Sequence, residues 1–96
     1  MPISNTLPEF GIDRASDVSL TAQLVEQIRQ AVLTGRLKPD ARLPSTRALS
    51  LELGLSRTTV LAAFDQLISE GYLEGRQGSG THIAAELPDT SLTVGQ

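Results

Sequence analysis

The segment LPSTRALSLELGLSRTTVLAAFDQLISEGYLEGRQGSG, residues 43–80, decides the fold. Apolar residues recur in it at helical spacing in two runs, and Ser45 and Ser56 are suitable N-caps for these runs. A three-residue turn that contains a glycine separates the runs, which is typical of a helix-turn-helix. The segment therefore predicts one helix from Ser45 to about Leu53 and a second from Ser56 to Gly71.

The residues on either side predict the rest of a small α+β domain. Upstream, residues 20–34 have apolar side chains at helical spacing, and Gly35 is placed to end that helix. The residues before Pro44 are biased toward extended backbone, which leaves room for only a very short strand. Downstream, residues 72–76 and 81–84 are strand candidates around a glycine-rich turn. We therefore expect a winged helix-turn-helix with three helices and a small antiparallel β-hairpin as the wing.

Composition limits the functions that this domain can have. With no cysteine and one histidine, the chain cannot form disulfides or cysteine-based zinc sites, and no nucleophile, base and orienting group combine into a catalytic site. We expect no enzyme activity, metal or cofactor in this chain. No run approaches the roughly 18 apolar residues of a membrane helix, and the first residues lack a signal-peptide pattern. These features predict a cytoplasmic protein without a membrane partner.

The net charge of −3 is low for a protein that binds nucleic acid. Residues 35–83 hold six Lys and Arg against five Asp and Glu, whereas the flanks hold two against six. The acidity therefore belongs mainly to the ends of the chain. Proline and glycine among polar residues predict a flexible N-terminal arm over residues 1–18, a folded domain over 19–84, and the start of an interdomain linker over 85–96.

The third predicted helix presents small polar residues on one face. At about 100° per residue, apolar side chains form a buried stripe and leave the opposite face to solvent. We expect the stripe to comprise Val60, Phe64, Leu67 and Ile68. On the other side, Thr58, Thr59 and Ala62 are small enough to let the helix backbone lie close to the floor of a DNA major groove. Arg57 can reach a guanine edge or a phosphate, and Asp65 would limit how far the helix inserts.

Polar residues at the helix starts and in the hairpin turn complete a candidate surface for double-stranded DNA. Arg47 lies beside free N–H groups at the start of the second helix, where a phosphate would bind. Arg76 and Gln77 are polar residues at the hairpin tip, where glycines allow close approach to a minor groove or a DNA backbone. Few aromatic residues are available to stack single-stranded bases, which favours a duplex. The candidates at the helix starts also include Ser45, Thr46 and Ser56.

Two features of the wing have structural rather than catalytic interpretations. Its glycines fit a hairpin tip better than a nucleotide-binding loop, because a strand instead of a helix follows them. His82 lacks a second ligand at metal-like spacing, so we expect it to have a structural role on the wing surface. Two alternatives stay open: a winged helix that binds another protein, which the low net charge would suit, and a nucleotide-binding or enzymatic module.

Over roughly residues 20–84, the chain resembles the winged helix-turn-helix domain of GntR-family bacterial transcriptional regulators. The segments LPSTRALS, LSRTTVLAAFDQLISEGYLEGRQGSGT and FGIDRAS are most similar to the MocR branch of that family. The resemblance implies sequence-specific binding to double-stranded DNA, with Arg47 at the DNA backbone and Arg57, Thr58 and Thr59 opening the recognition helix. It also implies that the wing tip touches the minor groove through Gln77, Gly78 and Ser79.

In the MocR branch, a linker joins this domain to a C-terminal aminotransferase-like domain that binds pyridoxal phosphate and dimerises. The resemblance therefore implies that this chain is the DNA-binding portion of a longer homodimeric regulator, with its cofactor outside these residues. We expect the isolated domain to be monomeric or weakly dimeric and to bind DNA weakly. Asp40 and His82 stand where the family often has a glycine and an aromatic residue, and both should be tolerated in a loop and on a wing.

Overall fold

The computed structural model describes residues 11–87 as three helices followed by a two-stranded antiparallel sheet. The helices are α1 (Leu20–Leu33), α2 (Thr46–Leu53) and α3 (Arg57–Glu70), and the strands are β1 (Leu73–Arg76) and β2 (Gly80–Ile83). This arrangement confirms the predicted α+β winged helix-turn-helix. Residues 1–10 of the predicted arm (1–18) and residues 88–96 of the predicted linker (85–96) lie outside the described residues. Between residues 11 and 87, no helix is long and apolar enough to cross a membrane.

Each helix begins after a serine whose side chain caps it. The Oγ atoms of Ser19, Ser45 and Ser56 accept hydrogen bonds at 3.0, 3.0 and 3.1 Å from the N–H groups three residues later. The last two helices end at Gly54 and Gly71, whose backbones are left-handed with φ of +70° and +92°. Because these signals are local, the predicted starts and ends of the helices are confirmed to within one residue.

One hydrophobic core joins α1, α3 and the sheet. Leu24 and Ile28 from α1, Val60 and Leu67 from α3, and Ile83 from β2 are fully buried in it. Their spacing along each helix places them on a single face, which turns toward the other elements. Burial of this apolar area drives the packing of elements that are individually too short to be stable.

The buried face of α3 differs from the predicted one at two positions. Ile68 was predicted to be buried but is 40 % exposed, whereas Ala63, absent from the predicted stripe, is fully buried. The observed stripe is rotated by about 35° from the predicted one at 100° per residue. Ala63 and Ile68 lie on opposite sides of the shared stripe, and which of them is buried depends on how the neighbouring elements pack against α3.

The wing pairs with a short extended segment that precedes α2. In the hairpin, Leu73 pairs with Ile83 and Arg76 pairs with Gly80. Arg42 forms an isolated bridge with His82 on the other edge of β2. The predicted very short strand before Pro44 is therefore confirmed, and it attaches the wing to the helices.

The prediction that His82 lies on the wing surface is wrong. This residue is only 7 % exposed, because its strand is paired on both edges and packs on the core. Its Nε2 is 3.4 Å from the Oγ of Ser79, and its Nδ1 has no hydrogen-bond partner among residues 11–87. The imidazole is therefore buried with one ring nitrogen unpartnered within the described part of the chain, between the register partners Glu74 and Arg42.

Candidate nucleic-acid interface

The starts of α2 and α3 present the predicted contact residues to solvent. The exposed ones are Ser45, Arg47, Ser56, Arg57, Thr58 and Ala62, and the half-buried ones are Thr46 and Thr59. N–H groups in the first turn of a helix have no intrahelical acceptor and carry the positive end of the helix dipole. Both helix starts therefore favour an anionic ligand.

The capping hydroxyls at these starts can also donate hydrogen bonds outward. Ser45 accepts from the N–H of Ala48 at 3.0 Å, which leaves its own O–H available. Ser56 accepts from the N–H of Thr59, and the two hydroxyl oxygens are 2.9 Å apart. Two hydroxyls that share one hydrogen bond keep one O–H for another acceptor. Phosphate oxygens are suitable acceptors at both places.

The arginines of this chain differ in how their charge is compensated. Among the residues that the structure describes, Arg47 and Arg57 make no ion pair. Arg29 instead pairs with Glu26 and, at 2.7 Å, with Glu70. Glu70 ends α3, about 20 Å along the helix axis from Arg57 at a rise of 1.5 Å per residue. Arg47 and Arg57 therefore keep uncompensated positive charges at the two helix starts, although the net charge of the chain is −3.

Arg76, the last residue of β1 before the wing turn, is held by two carboxylates. Its Nη2 is 2.5 Å from Oδ1 of Asp40 and 2.5 Å from Oε2 of Glu74. The hydrogen bonds to Asp40 and then to Glu74 raise the pKa of Arg76 above its usual value. Asp40 has a left-handed backbone with φ of +69°, which agrees with the glycine that the resemblance associates with this position. Arg76 therefore braces the wing against the loop before α2, and its charge is largely compensated.

The tip of the wing is a tight turn that exposes backbone. The N–H of Ser79 donates to the C=O of Arg76 at 2.8 Å, and Gly78, with φ of +79°, occupies the third position of this turn. A positive φ at that position is typical of a type II turn and suits glycine. Gln77 and Gly78 are exposed and Ser79 is half-buried, so the tip can approach a neighbouring surface closely.

Two arginines with tertiary contacts near this surface were not among the predicted site residues. The guanidinium of Arg42 lies against Gly80 in the wing, where an added Cβ would come within 3.4 Å of Nε. Arg14 donates from Nη2 to the C=O of Gly54, in the turn between α2 and α3. These contacts join residues 38 and 40 positions apart, so no local pattern could have indicated them.

Comparison with known proteins agrees with this geometry. The model of the family described as bacterial regulatory proteins, gntR family, matches residues 20–83. The chain belongs to the gntR family. It is 50 % identical over 78 residues to the probable rhizopine catabolism regulatory protein MocR of Rhizobium meliloti, in a match that covers 81 % of this chain and 16 % of that protein.

Solved structures of the same family have the same fold. YtrA from Sulfolobus acidocaldarius, a GntR-family transcription factor, is similar with a TM-score of 0.76 and 32 % identity, over 88 % of this chain and 89 % of that chain. AraR(DBD), solved in complex with operator ORE1, is similar with a TM-score of 0.67 and 31 % identity, over 81 % of this chain and 95 % of that chain. The chain is thus the winged-helix DNA-binding domain of a GntR-family regulator, and its predicted likeness to the MocR branch is confirmed.

Proposed function

We propose that this domain binds a double-stranded operator with the start of α3 in the major groove and the wing tip at the minor groove. The observation that carries the proposal is the presence of exposed, uncompensated arginines, Arg47 and Arg57, at the starts of two consecutive helices. Each stands beside free N–H groups, so an anionic backbone is the ligand that suits both. The solved complex of the AraR domain with its operator supports this choice of ligand.

Base recognition would rest on the first two turns of α3. Thr58 and Ala62 are exposed, and their methyl groups can contact the methyl group of thymine. Arg57 can donate to a guanine edge or to a phosphate. Asp65 lies about 12 Å further along the axis, where a carboxylate would meet repulsive phosphates or a cytosine amino group. The helix would therefore enter the groove by its N-terminal end.

The wing would contribute through its tip. Gln77 and Gly78 are exposed and would contact the minor groove or its edge, with Ser79 beside them. Arg76 would act mainly by orienting the hairpin, since Asp40 and Glu74 hold its guanidinium. Shape and backbone contacts would dominate here, because the minor groove carries little sequence information.

The domain would function as part of a longer regulator. The chain spans 16 % of the length of the MocR relative. We propose that the whole protein is a homodimer whose C-terminal domain binds pyridoxal phosphate, and that the isolated domain is monomeric or weakly dimeric. Two linked domains on paired half-sites would supply affinity that one weakly basic domain lacks.

Selection and salt titration test this function. The 96-residue chain would be used to select duplexes from a random-sequence library, and fluorescence anisotropy would measure its affinity for a selected duplex and for a scrambled one. Between about 50 and 200 mM salt, log K should fall linearly with log salt concentration. Arg57→Ala should weaken binding to the selected duplex by roughly tenfold or more. Arg47→Ala should weaken binding to both duplexes and make the slope of log K against log salt concentration shallower by about 1.

Arg36→Ala is the matched control, since it removes an exposed arginine that makes no ion pair among residues 11–87 and is not a predicted contact residue. It should leave the preference for the selected duplex unchanged. A log K that does not depend on salt, together with no effect of Arg57→Ala, would reject DNA binding. Binding to another protein that persists at high salt and requires Leu51, which is 78 % exposed on α2, would favour a protein-interaction module instead.

A further inference from the structure

The described residues before α1, numbers 11–18, form a strap along that helix. The side-chain amide of Gln27 accepts from the N–H of Gly11 at 3.0 Å and donates to its C=O at 2.6 Å. One turn earlier, the amide of Gln23 accepts from the N–H of Asp13 at 2.7 Å and donates to its C=O at 2.8 Å. Residues four apart share one face of a helix, so both glutamines hold the strap on the same side of α1.

The strap directs Arg14 toward the helix-turn-helix. Ile12 packs against the core, and the carboxylate of Asp13 accepts from the N–H of Ala15 at 3.0 Å, which turns the chain next to Arg14. The guanidinium then reaches 40 residues along the chain, where Nη2 donates to the C=O of Gly54. A Cβ added at Gly54 would lie 3.2 Å from this nitrogen, so the guanidinium packs directly on the turn.

This contact is favourable for electrostatic and geometric reasons. Gly54 is the C-cap of α2, where carbonyl groups lack intrahelical donors and the helix dipole is negative. A cation at that end of the helix interacts favourably with the unpaired carbonyl groups and with the negative end of the dipole. The turn continues from Gly54 through Leu55 to Ser56, which caps α3 immediately before Arg57. A displacement of the turn would therefore move the start of α3.

We infer that Arg14 is a positioning residue that holds the turn between α2 and α3 and thereby sets the start of α3 relative to α1. It acts through the backbone of Gly54 and contacts no base. The inference rests on the proposed function, since that function assigns recognition of the DNA bases to the start of α3. Arg14 makes no ion pair among residues 11–87, so a direct contact with a DNA phosphate is the competing explanation that the test must separate.

The test compares Arg14→Ala with Arg36→Ala, which removes the same charge from the loop after α1, where Arg36 makes no side-chain hydrogen bond to the turn among residues 11–87. Amide spectra of the free chains, recorded where both variants are folded, should show shifts at Gly54 and Ser56 for Arg14→Ala and none for the control. The affinity of Arg14→Ala for the library-selected duplex should fall by about fivefold, as expected for losing one favourable interaction at a helix terminus. Its affinity for the scrambled duplex and the slope of log K against log salt should stay as in the unaltered chain.

Several results would overturn the inference. Equal loss of affinity for both duplexes, with a slope smaller by about 0.9, would assign Arg14 to a phosphate contact. Unshifted turn resonances would show that the contact with Gly54 is absent in solution. A lower melting temperature with unchanged affinity of the folded variant would reduce Arg14 to a role in stability. If the unaltered chain binds no duplex, the proposed function fails and the reading role fails with it, while shifted turn resonances would still establish the contact.

Discussion

Replacing His82 by phenylalanine should stabilise this domain. His82 is 7 % exposed, its Nδ1 has no partner among residues 11–87, and its Nε2 is 3.4 Å from Ser79, which is long for a hydrogen bond. A buried polar group without a partner costs about 1–3 kcal/mol. Phenylalanine has a similar shape and no polar atom, although its larger ring offsets part of the gain. We expect the free energy of unfolding to increase by about 1 kcal/mol and the melting temperature by about 4–8 °C.

Circular dichroism of the 96-residue chain, with thermal and urea denaturation at pH 8, would measure this change. Ser79→Ala is the control, because it removes the polar neighbour of the imidazole and leaves the ring in place. At 3.4 Å that neighbour contributes little, so the control should change stability by less than about 0.5 kcal/mol. If His82→Phe instead lowered the free energy of unfolding by about 1 kcal/mol or more, the reasoning would be refuted. The imidazole would then be stabilised by its nitrogens, or the site would have no room for the larger ring.

The loop before α2 and the ion pair between α1 and α3 give two further predictions. Asp40→Ala should lower the free energy of unfolding by about 1 kcal/mol, because Asp40 has φ of +69° and pairs with Arg76. Asp40→Gly suits that backbone, so it should lower the free energy of unfolding by less than Asp40→Ala in urea denaturation. Equal losses for the two variants would show that the ion pair, and not the backbone conformation, causes the destabilisation. The hydrogen bond from Arg29 holds the pKa of Glu70 below its usual value, so Glu70 stabilises the fold above its unfolded pKa of about 4.3 and loses this effect as the pH falls through its lower folded pKa. Glu70→Gln should therefore make the free energy of unfolding decrease less steeply below about pH 5. An unchanged decrease in this variant would contradict the stabilising role of ionised Glu70.

Much of the candidate interface could be predicted because its residues are defined by local patterns. Serine caps and terminal glycines place the starts of α2 and α3, and the residues just after a cap are exposed unless another element covers them. Arg47, Arg57 and Thr58 follow from those positions alone. Arg76 shows the limit of this reasoning, since its exposure at the wing could be predicted but its pairing with Asp40 could not.

The sequence by itself determined the three helices, the hairpin and the family, because caps, glycines and apolar spacing act within a few residues of each other. Only the tertiary structure decided which side of α3 is buried, because periodicity places Ala63 and Ile68 beside the same stripe and the packing partners choose between them. It also decided that His82 is buried, since its strand is covered by a segment about 40 residues earlier. The same holds for the contact of Arg14 with Gly54, because its two residues are 40 positions apart and only the packing of the whole domain brings them together.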